Sequence, residues 1–155
     1  MKLFIKPIIS ILFYSIIGVN FSNAYDDKDL EKLLKTNSCI NCDLSGADLR
    51  KKNLSNANLQ GSNLNKVNLW RANLENANLD GCTLKEANLK RVNFQNANLN
   101  NTIFEWSIIR HAKMDGATAI NADFRRTGIK KTNFKLVTLC NTQMKYGIDN
   151  SGCKK

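Results

Sequence analysis

The pair Cys39 and Cys42, separated by two residues, has the spacing of a redox or metal site. A thiol–disulfide centre of the thioredoxin kind needs such a pair opening a helix beside a βαβ unit, so that one thiolate is stabilised and reachable. That context is missing here, and the spacing is read instead as a structural disulfide or two packed thiols. A zinc site needs about four ligands, and the single histidine, His111, lies far along the chain. Cys140 and Cys153 are candidates for a second bridge that pins the end of the chain, and Cys82 is read as a buried thiol. Five cysteines leave at least one free or paired with another molecule. No carboxylate pair or nucleophile–base arrangement recurs, and His111 falls at an outward position. The expectation is therefore a protein that is not an enzyme, with no cofactor and no metal.

The cations form the other chemical pattern. Residues 44–155 hold 18 Lys and Arg against 8 Asp and Glu. At a spacing of twenty residues stand Arg50 and Lys51, Trp70 and Arg71, Lys90 and Arg91, Arg110 and His111, and Lys130 and Lys131. Arg50, Lys51, Arg71, Lys90, Arg91, Arg110, Lys130 and Lys131 are the candidate anion-binding residues. Trp70 among them suits stacking on a ring or a membrane surface. A solvated face without a ligand is the competing reading. A periodicity of twenty has meaning only if the chain returns on itself at that interval, and a shorter period supplies the reason.

Every fifth residue from Leu44 to Met144 is a centre: twelve of the 21 are Leu, four Phe, two Ile, two Met and one Ala, Ala119. Two residues before each centre stands Ala, Cys, Ser, Thr or Val in 20 of 21 cases, Lys52 being the exception. One residue before it stands Asn or Asp in 13 of 21. A period of five matches neither helix nor strand, and a short fixed period marks a solenoid whose units are stable only when stacked. The large and the small position should face a dry core, and the Asn and Asp residues suit tight turns. The phase holds over a hundred residues, which favours one continuous stack.

The tandem motif, as in "GADLR", "NANLQ", "RANLE" and "KEANLK", resembles the pentapeptide repeat family over residues 42 to about 146. The resemblance implies an all-β chain folded as a right-handed quadrilateral β-helix, four pentapeptides to a square coil. Residues twenty apart should then stack in columns, such as Leu44, Leu64, Leu84, Phe104, Phe124 and Met144. The volume missing at Ala119 would be filled by its large coil-mates Phe104 and Met114. Some members of the family resemble DNA in shape and charge and protect DNA gyrase. The basic balance and the N-terminus both disfavour that role here.

The first 24 residues read as a secretory signal peptide: Lys2 and Lys6, then a 13-residue apolar run, then Ser22 and Ala24 at cleavage-site positions. The competing reading is an uncleaved anchor, against which the run falls short of a span of about 20 residues. Cleavage leaves no transmembrane span and a mature charge of +8. Residues 25–38, with Leu30, Leu33 and Leu34 at helical spacing behind Asp26, Asp27, Asp29 and Glu31, are expected to form a capping helix. Residues 39–146 form the solenoid and 147–155 a tail. The expected function is a non-catalytic, secreted or periplasmic binding scaffold. Its partner would be an anionic envelope polymer, lipid headgroups or an acidic protein; the compartment disfavours nucleic acid. The alternatives are a purely structural solenoid and, from another class, a thiol–disulfide protein using Cys39 and Cys42.

Overall fold

The computed structural model describes residues 25–153, so the segment read as a signal peptide and the last two lysines lie outside the described residues. Parallel bridges join residues before a centre to those twenty further on, in a series with one gap, from Ser38 with Asn58 to Asp123 with Gln143. Four bridging positions, Asp43, Asp48, Asn53 and Asn58, fall within one interval of twenty. The chain therefore closes a four-sided coil and climbs one strand spacing, ~4.8 Å, per turn. Leu44 N donates to Asn63 O at 2.8 Å and Asn63 N to Cys42 O at 2.9 Å, a pattern that recurs up the rod.

The sides hold because both protected positions point inward. All twelve centres from Leu44 to Leu99 are buried, and so are Phe104, Ile109, Met114, Ala119 and Phe124. The column expectation is visible at Phe104 and Phe124, whose rings stack 4.5 Å apart and 7° from parallel. Phe94 meets Phe104, and Phe124 meets Phe134, edge to face across the interior. Ala119 is wholly buried in one cluster with Phe104, Ile109 and Met114.

Most hydroxyl residues at the small position share one acceptor, a carbonyl 23 residues back; the exception is Ser107, whose buried Oγ has no partner among the described residues. Ser62 Oγ donates to Cys39 O, Thr102 Oγ1 to Leu79 O, Thr127 Oγ1 to Phe104 O and Thr142 Oγ1 to Ala119 O. A buried hydroxyl without such a partner would cost ~1–3 kcal/mol.

The Asn and Asp residues act differently from the sequence expectation. Their side chains do bond nearby backbone: Asn73 Oδ1 accepts from Glu75 N, and Asn78 Oδ1 from Asp80 N. They do not themselves take the unusual angles. Left-handed backbone falls two residues after the centres from Leu44 to Ile129, at positions such as Lys51 (φ 58°), Arg71 (φ 58°) and Arg91 (φ 58°). The amides also form ladders that the sequence reading missed: Asn78 Nδ2 donates to Asn58 Oδ1, and Asn98 Nδ2 to Asn78 Oδ1. Asn suits this position because its amide both donates and accepts.

The ends are closed differently. Helix α1 (Asp27–Thr36) starts on Asp26, whose side chain accepts from Lys28 N, and ends on left-handed Asn37. It docks through Leu33, which is buried, and through Asp29 Oδ2, which accepts from Asp43 N. Leu34 turns outward at 50% exposure, so the apolar contact is narrower than the three leucines suggested. At the other end, β1 (Thr142–Met144) and β2 (Gly147–Asp149) pair antiparallel, and Gly152 N donates to Leu139 O. The residues read as a tail thus fold back on the last coil. That coil also corrects the expectation of unbroken phase. Gly116 N donates to Leu136 O, one residue later than the pattern elsewhere, and the series of bridges among the described residues lacks the pair Lys113 with Asn133. Leu136 is not among the left-handed residues, unlike Asn56, Asn76 and Asn96, which precede it in its column.

Candidate functional site

The two residues after each centre occupy turns, because the three-residue sides carry the bridges. The basic pairs therefore line an edge of the square and not one of its flat faces. Lys51 N donates to Trp70 O at 2.9 Å, Arg71 N to Lys90 O at 3.1 Å and Arg91 N to Arg110 O at 2.8 Å. Four rungs are thus fixed at one strand spacing. The fifth, Lys130 and Lys131, belongs to the irregular last coil.

Arg50 is the one rung cation held in an ion pair among the described residues: its Nε and Nη2 both donate to the Asp48 carboxylate. That pairing holds the Asp48 carboxyl below the usual carboxylate range. Lys51, Arg71, Lys90, Arg91, Arg110, Lys130 and Lys131 form no salt bridge there. Lys51 Nζ lies 5.3 Å, and Arg71 Cζ 4.6 Å, from the Trp70 ring centroid, within the ~6 Å of a cation–π contact. His111 is exposed at an outward position. Two residues join this cluster that the sequence reading left out of the site. Lys52, the lone exception at the small position, is exposed and lines a groove with Asp48, Arg50, Lys51 and Trp70. The break in the Ala/Ser/Cys pattern was its signal. Asp48 had none, since Asn or Asp is the usual residue before a centre.

The cysteines hold the ends. Cys39 and Cys42 sulfurs lie at 2.05 Å, a disulfide, with the two residues 0% and 3% exposed at the helix end of the rod. Cys140 and Cys153 form a second disulfide across the turned-back C-terminal segment. A redox pair needs a sulfur that a partner can reach; burial of Cys39 and Cys42 works against that. Asp29 lies close to both sulfurs, but sulfurs bonded to each other leave one carboxylate for a metal, short of the ~4 ligands of a zinc site. Cys82 is buried, its thiol donates to Leu59 O, and burial pushes it up to about 12.

A rod whose core repeats every five residues and whose sides bridge every twenty is a β-solenoid built from pentapeptides. Residues 38–71 and 68–108 match the model of the pentapeptide repeats, in eight copies, so this part of the rod is built of pentapeptide repeats, whose fold is a right-handed β-helix solenoid. Among solved structures the chain is similar to the pentapeptide repeat protein Rfr23 of the cyanobacterium Cyanothece 51142 (22% identity, 76% of this chain, 97% of that one, TM-score 0.39). It is similar also to a pentapeptide repeat protein of the Arabidopsis thaliana thylakoid lumen (27% identity, 61% and 70%, TM-score 0.22). A third is QnrB1, a plasmid-mediated fluoroquinolone resistance protein (17% identity, 76% and 80%, TM-score 0.44). No curated relative matches the chain.

Proposed function

We propose that this protein is an exported, non-catalytic scaffold that binds an anionic partner along its basic edge. The carrying observation is the run of rung cations that lack an acidic partner while the backbone fixes their spacing. Side chains held at a set interval lose less entropy on binding than a flexible basic tail. Export rests on the N-terminal pattern of charge, apolar run and small residues, and two disulfides suit an oxidising compartment. The partner class is an anionic envelope polymer, a lipid headgroup surface or an acidic protein.

The test is binding of residues 25–155 to anionic polymers, anionic vesicles and acidic proteins across a salt series. A variant with Lys90, Arg91, Arg110, Lys130 and Lys131 changed to Glu runs beside it. Saturable binding that weakens with salt and disappears in the variant, with an unchanged melting curve, is the expected result. Binding that survives the reversal moves the site off this edge. Binding to none of the panel leaves a purely structural solenoid.

A further inference from the structure

We infer that the first three rungs form a subsite for an acidic sugar unit, its ring on Trp70 and its acid group held by the surrounding cations. The inference rests on the anion-binding reading of the edge and deepens it. Trp70 is the one residue with a large apolar ring among the ten rung residues. A strip that reads charge alone gains nothing from an indole in its middle, and Trp70 takes the column position that Arg50, Lys90, Arg110 and Lys130 fill with cations. An indole offers a flat apolar plate, which complements the C–H face of a pyranose ring.

The surroundings supply the rest of a site. On one flank of Trp70 lies a groove of about 390 Å³ lined by Asp48, Arg50, Lys51, Lys52 and Trp70, within the ~300–1,000 Å³ of small-molecule sites. On the other flank Asn68, Asn88 and Lys90 join Arg50 and Trp70. Arg50 is oriented in advance by Asp48, and its remaining N–H groups, of five in a guanidinium, are free for a ligand. Lys51 and Arg71 lie over the indole. A neutral sugar would have to displace such a cation without compensation. An acidic sugar gives the displaced cation a carboxylate, so ring and charge are both required.

The test uses the Trp106→Phe protein, in which Trp70 is the sole tryptophan, because the chain holds two. It is titrated with a short oligogalacturonate, a neutral cello-oligosaccharide and inorganic polyphosphate. Oligogalacturonate is expected to perturb Trp70 fluorescence saturably, and the neutral sugar to leave it unchanged. By calorimetry, Trp70→Ala should weaken oligogalacturonate binding roughly tenfold, the weight of one aromatic contact, and leave polyphosphate binding alone. Trp70→Phe should keep part of the loss back. Equal effects of Trp70→Ala on both polyanions, or none on the glycan, would overturn the subsite while the basic edge stands. Binding of neither polyanion would overturn the subsite and the polymer arm of the basic-edge reading, leaving vesicles and acidic proteins to decide the rest. A melting curve for each variant separates loss of binding from loss of fold.

Discussion

Two neighbouring edges of this rod share one backbone geometry and treat charge in opposite ways. Along the edge that follows the Leu64, Leu84, Phe104 and Phe124 column, signs alternate. Lys66 meets Glu86 at 4.0 Å, Lys85 meets Glu105 at 3.3 Å, and Arg126 meets Glu105 at 3.1 Å from the next coil. Along the edge that follows Leu49, Leu69, Leu89, Ile109 and Ile129, every coil adds at least one cation, and only Arg50 has a carboxylate. Like charges on adjacent strands destabilise, and opposite ones contribute ~0.2–1 kcal/mol. The fold therefore permits neutral edges, and one edge departs from neutrality against its own stability. That departure is the observation on which the proposed anion binding rests.

The comparison presupposes a shared core, and the largest effect tests it. Leu74 is fully buried, directly after the turn of Trp70 and Arg71. Leu74→Asp places an unpaired charge in the dry interior, a cost of several kcal/mol against a total stability of about 5–15. The expected outcome is loss of the cooperative thermal transition, and of both edges with it. An unchanged melting curve would remove the core assignment.

A smaller change tests whether the amide ladders support both edges alike. Asn78 Oδ1 accepts from Asp80 N and Asn98 Nδ2, while its own Nδ2 donates to Asn58 Oδ1. Asn78→Ala should cost about 1–3 kcal/mol, read as a lower denaturation midpoint, with the salt dependence of anion binding unchanged. If anion binding alone weakened, the ladder would belong to the site.

The edges themselves are separated by reciprocal substitutions whose effects should have opposite signs. Glu105→Lys leaves Lys85 and Arg126 facing a third cation and should destabilise by ~0.2–1 kcal/mol. Arg110→Glu puts an acid between the rungs of Lys90 and Lys130 and should stabilise by a similar ~0.2–1 kcal/mol while weakening anion binding. Melting curves of both variants at low salt decide it. Shifts in one direction would mean that the two edges do not differ electrostatically.

Much of this was legible in the residues, because a period of five leaves each position one environment. Leu44 through Leu99 and their small partners could be placed inward on periodicity alone, and so could the twenty-residue columns that set the basic pairs in line. What escaped reading depends on three-dimensional closure. That Lys51 or Arg91 takes a left-handed backbone follows from where the corner falls, and nothing about lysine or arginine announces it. The role of Asn78 needs neighbours twenty residues away on both sides. Lys52 looked like a flaw in the repeat; at the start of its column it is exposed and joins the grooved cluster beside Trp70. The one-residue shift between Gly116 and Leu136 lies where the spacing of centres is unbroken, so counting could not reveal it.

The smallest expected effect concerns acid, which should make the two edges alike. Asp123, beside the alternating edge, accepts from Arg125 Nε and Nη2 and from Arg125 N. The Arg125 hydrogen bonds hold its carboxyl below the ordinary value. A carboxyl lowered in the folded state contributes stability above its unfolded value of about 3.9, and that contribution is lost as pH falls through the lowered folded value. Beside the basic edge Asp48 is held low by Arg50 in the same way, while the Lys and Arg of that edge stay charged throughout that range. Arg125 is exposed, so the expected contribution is ~0.2–1 kcal/mol. Melting wild type and Asp123→Asn between about pH 6 and pH 2 should show a small deficit in the variant near neutrality that closes below about pH 4. A deficit constant across that range would assign it to lost packing or to the turn bond at Arg125 N, and not to the carboxylate charge.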